Sequence, residues 1–398
     1  MSVLKRNLCT QRPMRPSILT VINTFNKLIE KMQVLFDHHV FSWQKFGGVS
    51  KYFVELIQYL RKENVKCSLP FLFTKNYYIQ SLTNNYLKVK DVKGTYHIIE
   101  LINKFNSIRI LKGNHYDLFH PTSTSNYFYS HLNNKPFVVT AHDLTIELFP
   151  SYFKSNEFVS KTIEERKLNY NRANRIIAIS ENTKKDLIHF YNINPGKIDV
   201  IYHGYSKPGH IQEPIRNFRL DKNRYILYVG SRKEYKNFNN FIEACAPVVK
   251  GDSYIICAGG GGFSAIEKEK LSKLKIENKV FQYDVNSSEL NFLYKNAIVF
   301  VYPSLYEGFG MPILEAFANG CRVAISNILV FTEIAGNAAT YFDPNSIESI
   351  REAILKIINS PEKGDAIKEQ SIQRLSNFSW ETTASKTIET YKKVINKA

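Results

Sequence analysis

The sequence lacks the cysteine pairs of a disulfide or zinc framework. Its 398 residues contain five cysteines at scattered positions, with no Cys-x-x-Cys arrangement. A dispersed, odd-numbered set of thiols is typical of a protein that folds in a reducing compartment. We therefore expect a cytoplasmic protein.

Long apolar runs and clustered metal ligands are also missing. No apolar stretch approaches the roughly 18 to 20 residues that a membrane span requires, and the first residues lack the compact apolar core of a signal peptide. The chain contains no Asp-x-Asp and no closely spaced set of histidines and cysteines. These absences disfavour an enzyme that works through a bound metal ion, and we expect no cofactor.

Acidic residues are scarce in the first half of the chain. The formal net charge is +17, and residues 1–200 carry 28 lysines and arginines against 15 aspartates and glutamates. Such an excess attracts anions, which include nucleotides, anionic lipids and nucleic acids. A basic nucleic-acid-binding protein is one alternative, although the sequence contains no recognised nucleic-acid module. Peripheral attachment to an anionic membrane surface is another hypothesis.

Two alternations of strand and helix patterns divide the chain. Residues 1–31 are basic and interrupted by proline, and we expect an N-terminal extension there. The first alternation occupies residues 32–205 and the second residues 206–380, separated by a stretch without apolar periodicity. This pattern indicates parallel β-α-β units. We predict an α/β protein with two Rossmann-like, doubly wound domains that face a central cleft.

The stretch "YPSLYEGFGMPILEAFANG" combines two glutamates with a glycine-bracketed turn. A buried strand precedes the turn, and its proline predicts a helix over about 312–319. The free amides from Gly308 to Met311 would favour an anion such as phosphate. Glu307 should then face an uncharged, hydroxyl-rich part of the same ligand, because its charge would repel phosphate.

Paired carboxylates are also the catalytic groups of many glycoside hydrolases. A largely helical step from Glu307 to Glu315, at about 1.5 Å per residue, separates them by on the order of 10 Å. That distance exceeds the retaining separation and reaches only the far limit of the inverting one. We prefer two separate hydroxyl-binding sites on one elongated ligand. A buried capping carboxylate and a surface carboxylate are the structural alternative.

Cations occur where a helix N-terminus should disfavour them. In "YVGSRKEYKNFNNFIEA" a strand ends at Gly230, and Arg232 and Lys236 come just before an amphipathic helix. They would oppose the helix dipole unless they share an anion with the amides near Gly308. A solvated run of charge is the plainer alternative.

Glycine clusters and one histidine supply weaker signals. Gly47 and Gly48 precede an amphipathic helix, an arrangement that lets backbone approach a phosphate, but the full dinucleotide fingerprint is absent. The four glycines of "AGGGGF" favour a flexible turn over a cofactor loop. His142 follows a β-branched strand and should lie at the crevice, although a lone histidine is more often structural.

Three blocks together resemble a known family: "RIIAISENTKKDLI", "YVGSRKEYKN" and "AIVFVYPSLYEGFGMPILEAFANGC". They are similar to the group-one retaining nucleotide-sugar glycosyltransferases of the GT-B fold, in their family-four type. The resemblance extends from about residue 32 to near the C-terminus, and "EGFGMPILE" is its most specific part. It implies that a C-terminal helix over 381–398 crosses back to the first domain.

The resemblance implies a donor and an acceptor. The "EGFGMP" and "YKN" blocks resemble mannosyltransferases of polysaccharide assembly such as lipopolysaccharide, so GDP-mannose is the first donor candidate and UDP-linked hexoses follow. The expected acceptor is a saccharide or a lipid-linked saccharide, and nucleic acid is not an expected partner. A sugar phosphorylase or a nucleotide-sugar epimerase of the same fold is the alternative among enzymes.

The resemblance also implies roles for individual residues. The positions that match the family's donor-binding set are Gly47, Gly48, Arg232, Lys236, Val285, Glu307, Gly308, Phe309, Gly310, Met311 and Glu315. Glu307 would contact hydroxyls of the donor sugar, Glu315 would hold the ribose, and the backbone near Val285 would contact the base.

Four of the implied roles are catalytic. Arg232, Lys236 and the turn amides would stabilise the departing diphosphate. His142 would meet the donor sugar near the reacting carbon, and Glu307 would contact hydroxyls of the same sugar. The spacing between Arg232 and Lys236 departs from that of many relatives. The implied reaction retains the anomeric configuration and needs no metal ion.

Overall fold

The computed structural model describes residues 32–83, 85–88, 95–153, 155–209, 225–249, 253–360 and 364–396. The expected N-terminal extension and most of the stretch between the two alternations lie outside these ranges. The described chain forms two units in which a parallel sheet carries helices on both faces. The predicted α/β class with two Rossmann-like domains is confirmed.

The first domain contains two three-stranded parallel sheets, of order β2-β1-β5 and β6-β7-β8, and a short pair of strands, β3-β4. A parallel bridge between Phe119 and Phe137 connects the two larger sheets. The strands of this domain are β1 Gln33–Phe36, β2 Lys66–Ser68, β3 Phe73–Thr74, β4 Leu87–Lys88, β5 Leu118–His120, β6 Val138–Ala141, β7 Arg175–Ala178 and β8 Ile198–Val200. Its helices are α1 His39–Trp43, α2 Gly48–Lys62, α3 Thr95–Gly113, α4 Thr145–Leu148, α5 Asn156–Arg172 and α6 Glu181–Tyr191.

The second domain is built on one six-stranded parallel sheet of order β11-β10-β9-β12-β13-β14. Its strands are β9 Tyr225–Val229, β10 Tyr254–Ala258, β11 Val280–Tyr283, β12 Val299–Tyr302, β13 Val323–Ser326 and β14 Thr340–Phe342. Its helices are α7 Phe238–Cys245, α8 Ala265–Lys273, α9 Ser287–Asn296, α10 Met311–Ala318, α11 Leu329–Ala335, α12 Ile347–Ile358 and α13 Gly364–Leu375. The strand order reverses between β9 and β12, and such a switch point opens a crevice at the carboxyl ends of the two strands.

The last helix, α14 Trp380–Ile395, packs on the first domain although it follows the second in the chain. Trp380 and Tyr391 are fully buried in the same apolar cluster as α2. Asp199 in the middle of β8 accepts hydrogen bonds from Thr390 and Lys393. The C-terminal segment therefore ties the two domains together by packing as well as by chain connection.

Among the residues that the structure describes, no helix combines the length and the apolarity needed to cross a bilayer.

Candidate functional site

Lys236 and Glu307 meet at the switch point of the second sheet. Lys236 ends a short 3-10 turn after β9, and Glu307 follows the neighbouring strand β12. The ammonium group of Lys236 pairs with a carboxylate oxygen of Glu307, which also accepts a hydrogen bond of 2.7 Å from Ser304. Both charged side chains are largely buried. Lys236 thus balances the negative charge of Glu307 next to the turn where the sequence predicts a bound anion such as phosphate.

The turn that follows Glu307 is forced by glycine. Gly310 has φ of +102°, a left-handed conformation that favours glycine, and α10 begins immediately after it at Met311. A Cβ atom on Gly308 would lie 1.7 Å from the carbonyl oxygen of His142 in the other domain. The turn amides can therefore sit against the first domain only because residue 308 has no side chain.

Hydrogen bonds hold the two domains together around this turn. Ser180, the N-cap of α6, donates to the Gly308 carbonyl at 2.8 Å. The Tyr306 hydroxyl donates to Asp186 at 2.7 Å and accepts from the Leu144 amide. The structure therefore describes a state in which the domains close directly over the turn.

His142 lies at the end of β6, facing this contact. Its ring packs against Tyr52 and Phe53, with centroid distances of 5.0 and 5.7 Å. Its Nε2 atom is buried and has no hydrogen-bond partner among the described residues. Burial lowers the pKa of His142 to about 4, against the opposing effect of Asp143. The ring is therefore neutral at pH 7.

Glu315, on α10, has a different set of partners. Its carboxylate forms an ion pair of 2.6 Å with Lys51, which lies in the first turn of α2 in the other domain, and Tyr294 donates to it at 3.4 Å. Burial disfavours the charged form of Lys51, but the attraction and hydrogen bond of Glu315 outweigh it, so the pKa of Lys51 is raised. Because Glu307 and Glu315 have separate partners, they do not form one carboxylate pair.

Arg232 is engaged away from Glu307. Its Nε donates to Glu267 at 2.6 Å, and its Nη2 donates to the carbonyls of Gly261 and Gly262 at 2.8 and 3.0 Å. Its guanidinium also stacks near the Phe263 ring, 4.7 Å from the centroid. In this state Arg232 organises the "AGGGGF" segment, and the structure brings Lys236, but not the Arg232 guanidinium, into contact with Glu307.

The remaining predicted residues lie around the same crevice. Gly48 begins α2, and a Cβ there would meet nothing within 4 Å, so its surface is open. Gly47 is crowded by Gln44, whose side-chain oxygen accepts from the Ser50 amide at 3.0 Å and so satisfies one amide of the helix start. Val285 follows β11 and is partly buried against the core of the second domain. Phe309 is buried and its ring packs against that of His203.

Sequence reasoning missed Lys51, Ser304 and Ser180. Lys51 stands three residues after the predicted Gly48 but carries no motif of its own, and its partner is 264 residues away. Ser180 has a local signal as a helix N-cap, which does not reveal its second bond to Gly308. In the described part of the chain, no group of three or more His, Cys, Asp or Glu side chains is arranged to hold a metal ion.

Two family models match the chain. The model described as glycosyl transferases group 1 matches residues 211–374, and the model described as glycosyltransferase family 4 matches residues 46–206. The first match therefore falls on the second domain and the other on the first domain.

Similar curated proteins include two O-antigen mannosyltransferases. The O-antigen chain mannosyltransferase RfbU of Salmonella typhimurium is 31% identical over 243 residues, which are 60% of this chain and 64% of that protein. The O-antigen chain mannosyltransferase B of Escherichia coli is 27% identical over 268 residues, which are 64% of this chain and 70% of that protein. The match thus spans a little less than two thirds of the Salmonella protein's length.

Solved structures support the fold. A glycosyltransferase from Rickettsia africae has a TM-score of 0.68 at 21% identity, and the match covers 92% of this chain and 100% of that one. An Anabaena protein crystallised with UDP and glucose has a TM-score of 0.71 at 16% identity, with the same coverage. From the two family models and this architecture, we conclude that the chain belongs to the group 1 glycosyltransferases of the GT-B fold.

Proposed function

We propose that the protein transfers a hexose, with mannose as the first candidate, from a nucleoside diphosphate sugar to a saccharide or lipid-linked saccharide acceptor in cell-surface polysaccharide synthesis. The transfer retains the anomeric configuration and uses no metal ion. The observation that carries the proposal is the Lys236–Glu307 pair, which lies beside the glycine-bracketed start of α10 and beneath His142.

Lys236 and the turn amides suit a diphosphate leaving group. When the bond from the anomeric carbon to the diphosphate breaks, negative charge accumulates on the phosphate oxygens. A cation and the N-terminus of a helix, fixed in advance, stabilise that charge much as an oxyanion hole does. Glu307, freed from part of its contact with Lys236, can then accept hydrogen bonds from hydroxyls of the donor sugar.

Glu315 suits the ribose of the nucleotide. Glu315 lies in the middle of α10, about one helical turn past the glycine turn, so that the first part of this helix separates the sugar from the ribose. A ribose that binds there has to compete with the ammonium group of Lys51. In the absence of a nucleotide, Lys51 would balance the negative charge of the largely buried Glu315 carboxylate.

Retention follows when both bonds lie on one face of the sugar. The acceptor oxygen forms a bond to the anomeric carbon on the face from which the diphosphate departs, and the acceptor proton passes to a phosphate oxygen. The neutral ring of His142 would hold the sugar in position without taking that proton, because its low pKa makes it a weak base. Domain closure over the turn excludes water and favours transfer over hydrolysis.

The similar proteins agree with this proposal. Two carry the name O-antigen chain mannosyltransferase, and a third and more distant one is named serotype-specific mannosyltransferase WbdA. Solved neighbours include proteins crystallised with UDP and with UDP-glucose, which keeps UDP-linked hexoses as the second donor class.

A donor screen tests the proposal. The purified protein is mixed with GDP-mannose, other GDP-sugars and UDP-sugars, with and without an oligosaccharide or lipid-linked acceptor, in the presence of EDTA, and nucleotide release is measured. We expect rapid nucleotide release with only one donor class and only when the acceptor is present. The new glycosidic bond in the product should have the same anomeric configuration as the donor sugar. Product formation that needs inorganic phosphate would favour a phosphorylase, and nucleotide release that needs no acceptor sugar would favour an epimerase. Release that requires added metal would contradict metal independence.

A further inference from the structure

Helix α3, Thr95–Gly113, buries polar side chains and exposes several apolar ones. Three of its buried residues are polar, Asn103, Asn106 and Ser107, and they lie beside the buried apolar residues Ile99 and Leu111. Its face toward solvent is apolar: Ile98, Leu101 and Phe105 have 63%, 53% and 65% of their surface exposed. A surface helix of a globular protein normally turns these two faces the other way.

The buried polar face makes specific hydrogen bonds. The Asn103 side chain accepts from the Leu72 and Phe73 amides at 2.8 and 3.1 Å and donates to the Phe73 carbonyl. Ser107 Oγ lies 2.7 Å from a ring nitrogen of His38. Several bonds to different elements fix the rotation of the helix, so the outward apolar face is a defined feature of the fold.

Exposed apolar side chains concentrate in the same region. Of the 18 large apolar side chains that are exposed among the described residues, ten lie between residues 43 and 105. They include Trp43, Phe46 and Tyr77 in addition to the outward residues of α3, and the ring centroids of Phe46 and Tyr77 are 5.1 Å apart. A concentration of exposed apolar surface of this kind marks an interaction site.

The same region is strongly basic. Residues 43–113 carry 12 lysines and arginines against four aspartates and glutamates, whereas the whole chain carries 53 against 36. On α3 itself, Arg109 and Lys112 are exposed and continue the outward face beyond Phe105. Apolar and aromatic side chains bordered by cations are typical of a helix that lies in the interface of an anionic membrane.

We infer that the outward face of α3, defined by Ile98, Leu101, Ile102 and Phe105, docks the protein on an anionic lipid bilayer. The helix lies parallel to the membrane, with these side chains among the acyl chains and Arg109 and Lys112 at the lipid phosphates. A second copy of the chain fits this surface less well, because a symmetric contact would bring two strongly basic regions together.

The placement has a consequence for the acceptor, which rests on the proposed function. Ser107 on the inner side of α3 contacts His38, two residues after the end of β1, so the docking helix backs directly onto the carboxyl edge of the first sheet. A saccharide linked to a lipid in the same bilayer would be presented at that edge. If the protein docks in this way, the acceptor saccharide is one that is linked to a membrane lipid.

Vesicle binding tests this inference with matched variants. The triple variant Ile98→Gln, Leu101→Gln, Phe105→Gln is compared with the control Ile266→Gln, Leu329→Gln, Ile372→Gln, which changes side chains that are 78%, 66% and 60% exposed in the second domain. Binding is measured by flotation with phosphatidylcholine vesicles that contain or lack phosphatidylglycerol. We expect the unchanged protein and the control to bind only the anionic vesicles, and the α3 variant to bind about tenfold or more weakly.

Each other outcome overturns the inference. Equal vesicle binding by both triple variants would show that α3 is not the docking surface. Vesicle binding that does not depend on phosphatidylglycerol would remove the role of the cations. A dimer of the unchanged protein in solution that dissociates in the α3 variant would identify a second copy as the occupant.

A separate activity assay tests the proposed function independently of membrane docking. Donor-dependent nucleotide release toward a water-soluble acceptor is measured for both triple variants, because these residues lie away from the Lys236–Glu307 pair. Loss of vesicle binding with retained release would support docking on a working enzyme. Docking without release from any GDP- or UDP-sugar would contradict the proposed function and leave the docking surface standing.

Discussion

The two domains share one architecture but differ in how their side chains carry function. In the second domain, the strand order brings the segments after β9 and β12 together, and the Lys236–Glu307 pair follows. In the first domain the functional side chains are scattered over several elements, and nine of the ten histidines of the chain lie in residues 32–205. The second domain therefore contributes the Lys236–Glu307 pair next to the glycine turn, whereas the first domain contributes the closely packed aromatic surface around His142 and one cation, Lys51, that pairs with Glu315.

The largest effect should come from breaking the second-domain site. Lys236→Ala removes the cation that we propose stabilises the departing diphosphate, and we expect turnover to fall by about two to three orders of magnitude. Steady-state nucleotide release measures the loss, and thermal unfolding checks that the fold is intact. Lys233→Ala is the matched control, because Lys233 is an exposed cation in the same segment. Near-normal transfer by Lys236→Ala would contradict the role of this lysine.

A smaller effect should follow when the contact between the domains is broken. In Gly308→Ala the new methyl group would overlap the His142 carbonyl, so the domains must separate. A displacement of about 1 Å can cost on the order of 100-fold in rate, and we expect a fall in kcat/KM of roughly 10- to 100-fold. Nucleoside diphosphate affinity, measured by calorimetry, should change less, because we propose that the second domain holds most of that ligand.

The control for this variant is Gly262→Ala. A Cβ atom at that position would meet nothing within 4 Å, so the change adds the same atom without a collision. If Gly308→Ala and Gly262→Ala had equal activity, close approach of the two domains at this turn would not be required for transfer.

The fold could be predicted from sequence because its signals are local. Alternating strand and helix patterns specify parallel β-α-β units, and the glycine turn with its proline predicts a helix over about 312–319, one residue later than the observed start at Met311. The closeness of Lys236 and Glu307 agrees with the expected anion shared by Lys236 and the turn near Gly308, because each residue lies in the loop after a strand and the two strands are neighbours.

Contacts between domains could not be predicted in this way. The partners Lys51 and Glu315 are separated by 264 residues, and no periodicity in either segment refers to the other. The engagement of Arg232 with Glu267 depends on how two loops of the second domain pack. The reversed polarity of α3 is visible only once Asn103 is seen to bind the neighbouring backbone, since an apolar stripe alone predicts a buried face.

Buried histidines distinguish the first domain in a way that pH can probe. Burial lowers the pKa of His120 to about 3 and that of His38 and His142 to about 4. Burial, with the neighbouring His142, also lowers the pKa of His203, whose ring lies 4.6 Å from Tyr52 and from Phe309. The folded state therefore keeps all four rings neutral at a pH where the unfolded chain, with an ordinary pKa near 6.5, binds protons.

The smallest expected effect is a change in the pH dependence of stability. Because the unfolded state binds more protons below pH 6.5, the free energy of unfolding should fall as the pH drops from 6.5 toward 4, by up to about 1.4 kcal/mol per pH unit for each of these histidines. Urea unfolding, followed by the fluorescence of Trp380 in the first-domain core, measures this slope. His203→Phe should reduce the slope by about one proton relative to the unchanged protein. An unchanged slope in this variant would mean that His203 binds a proton in the folded protein, and that the aromatic rings around it do not hold it neutral.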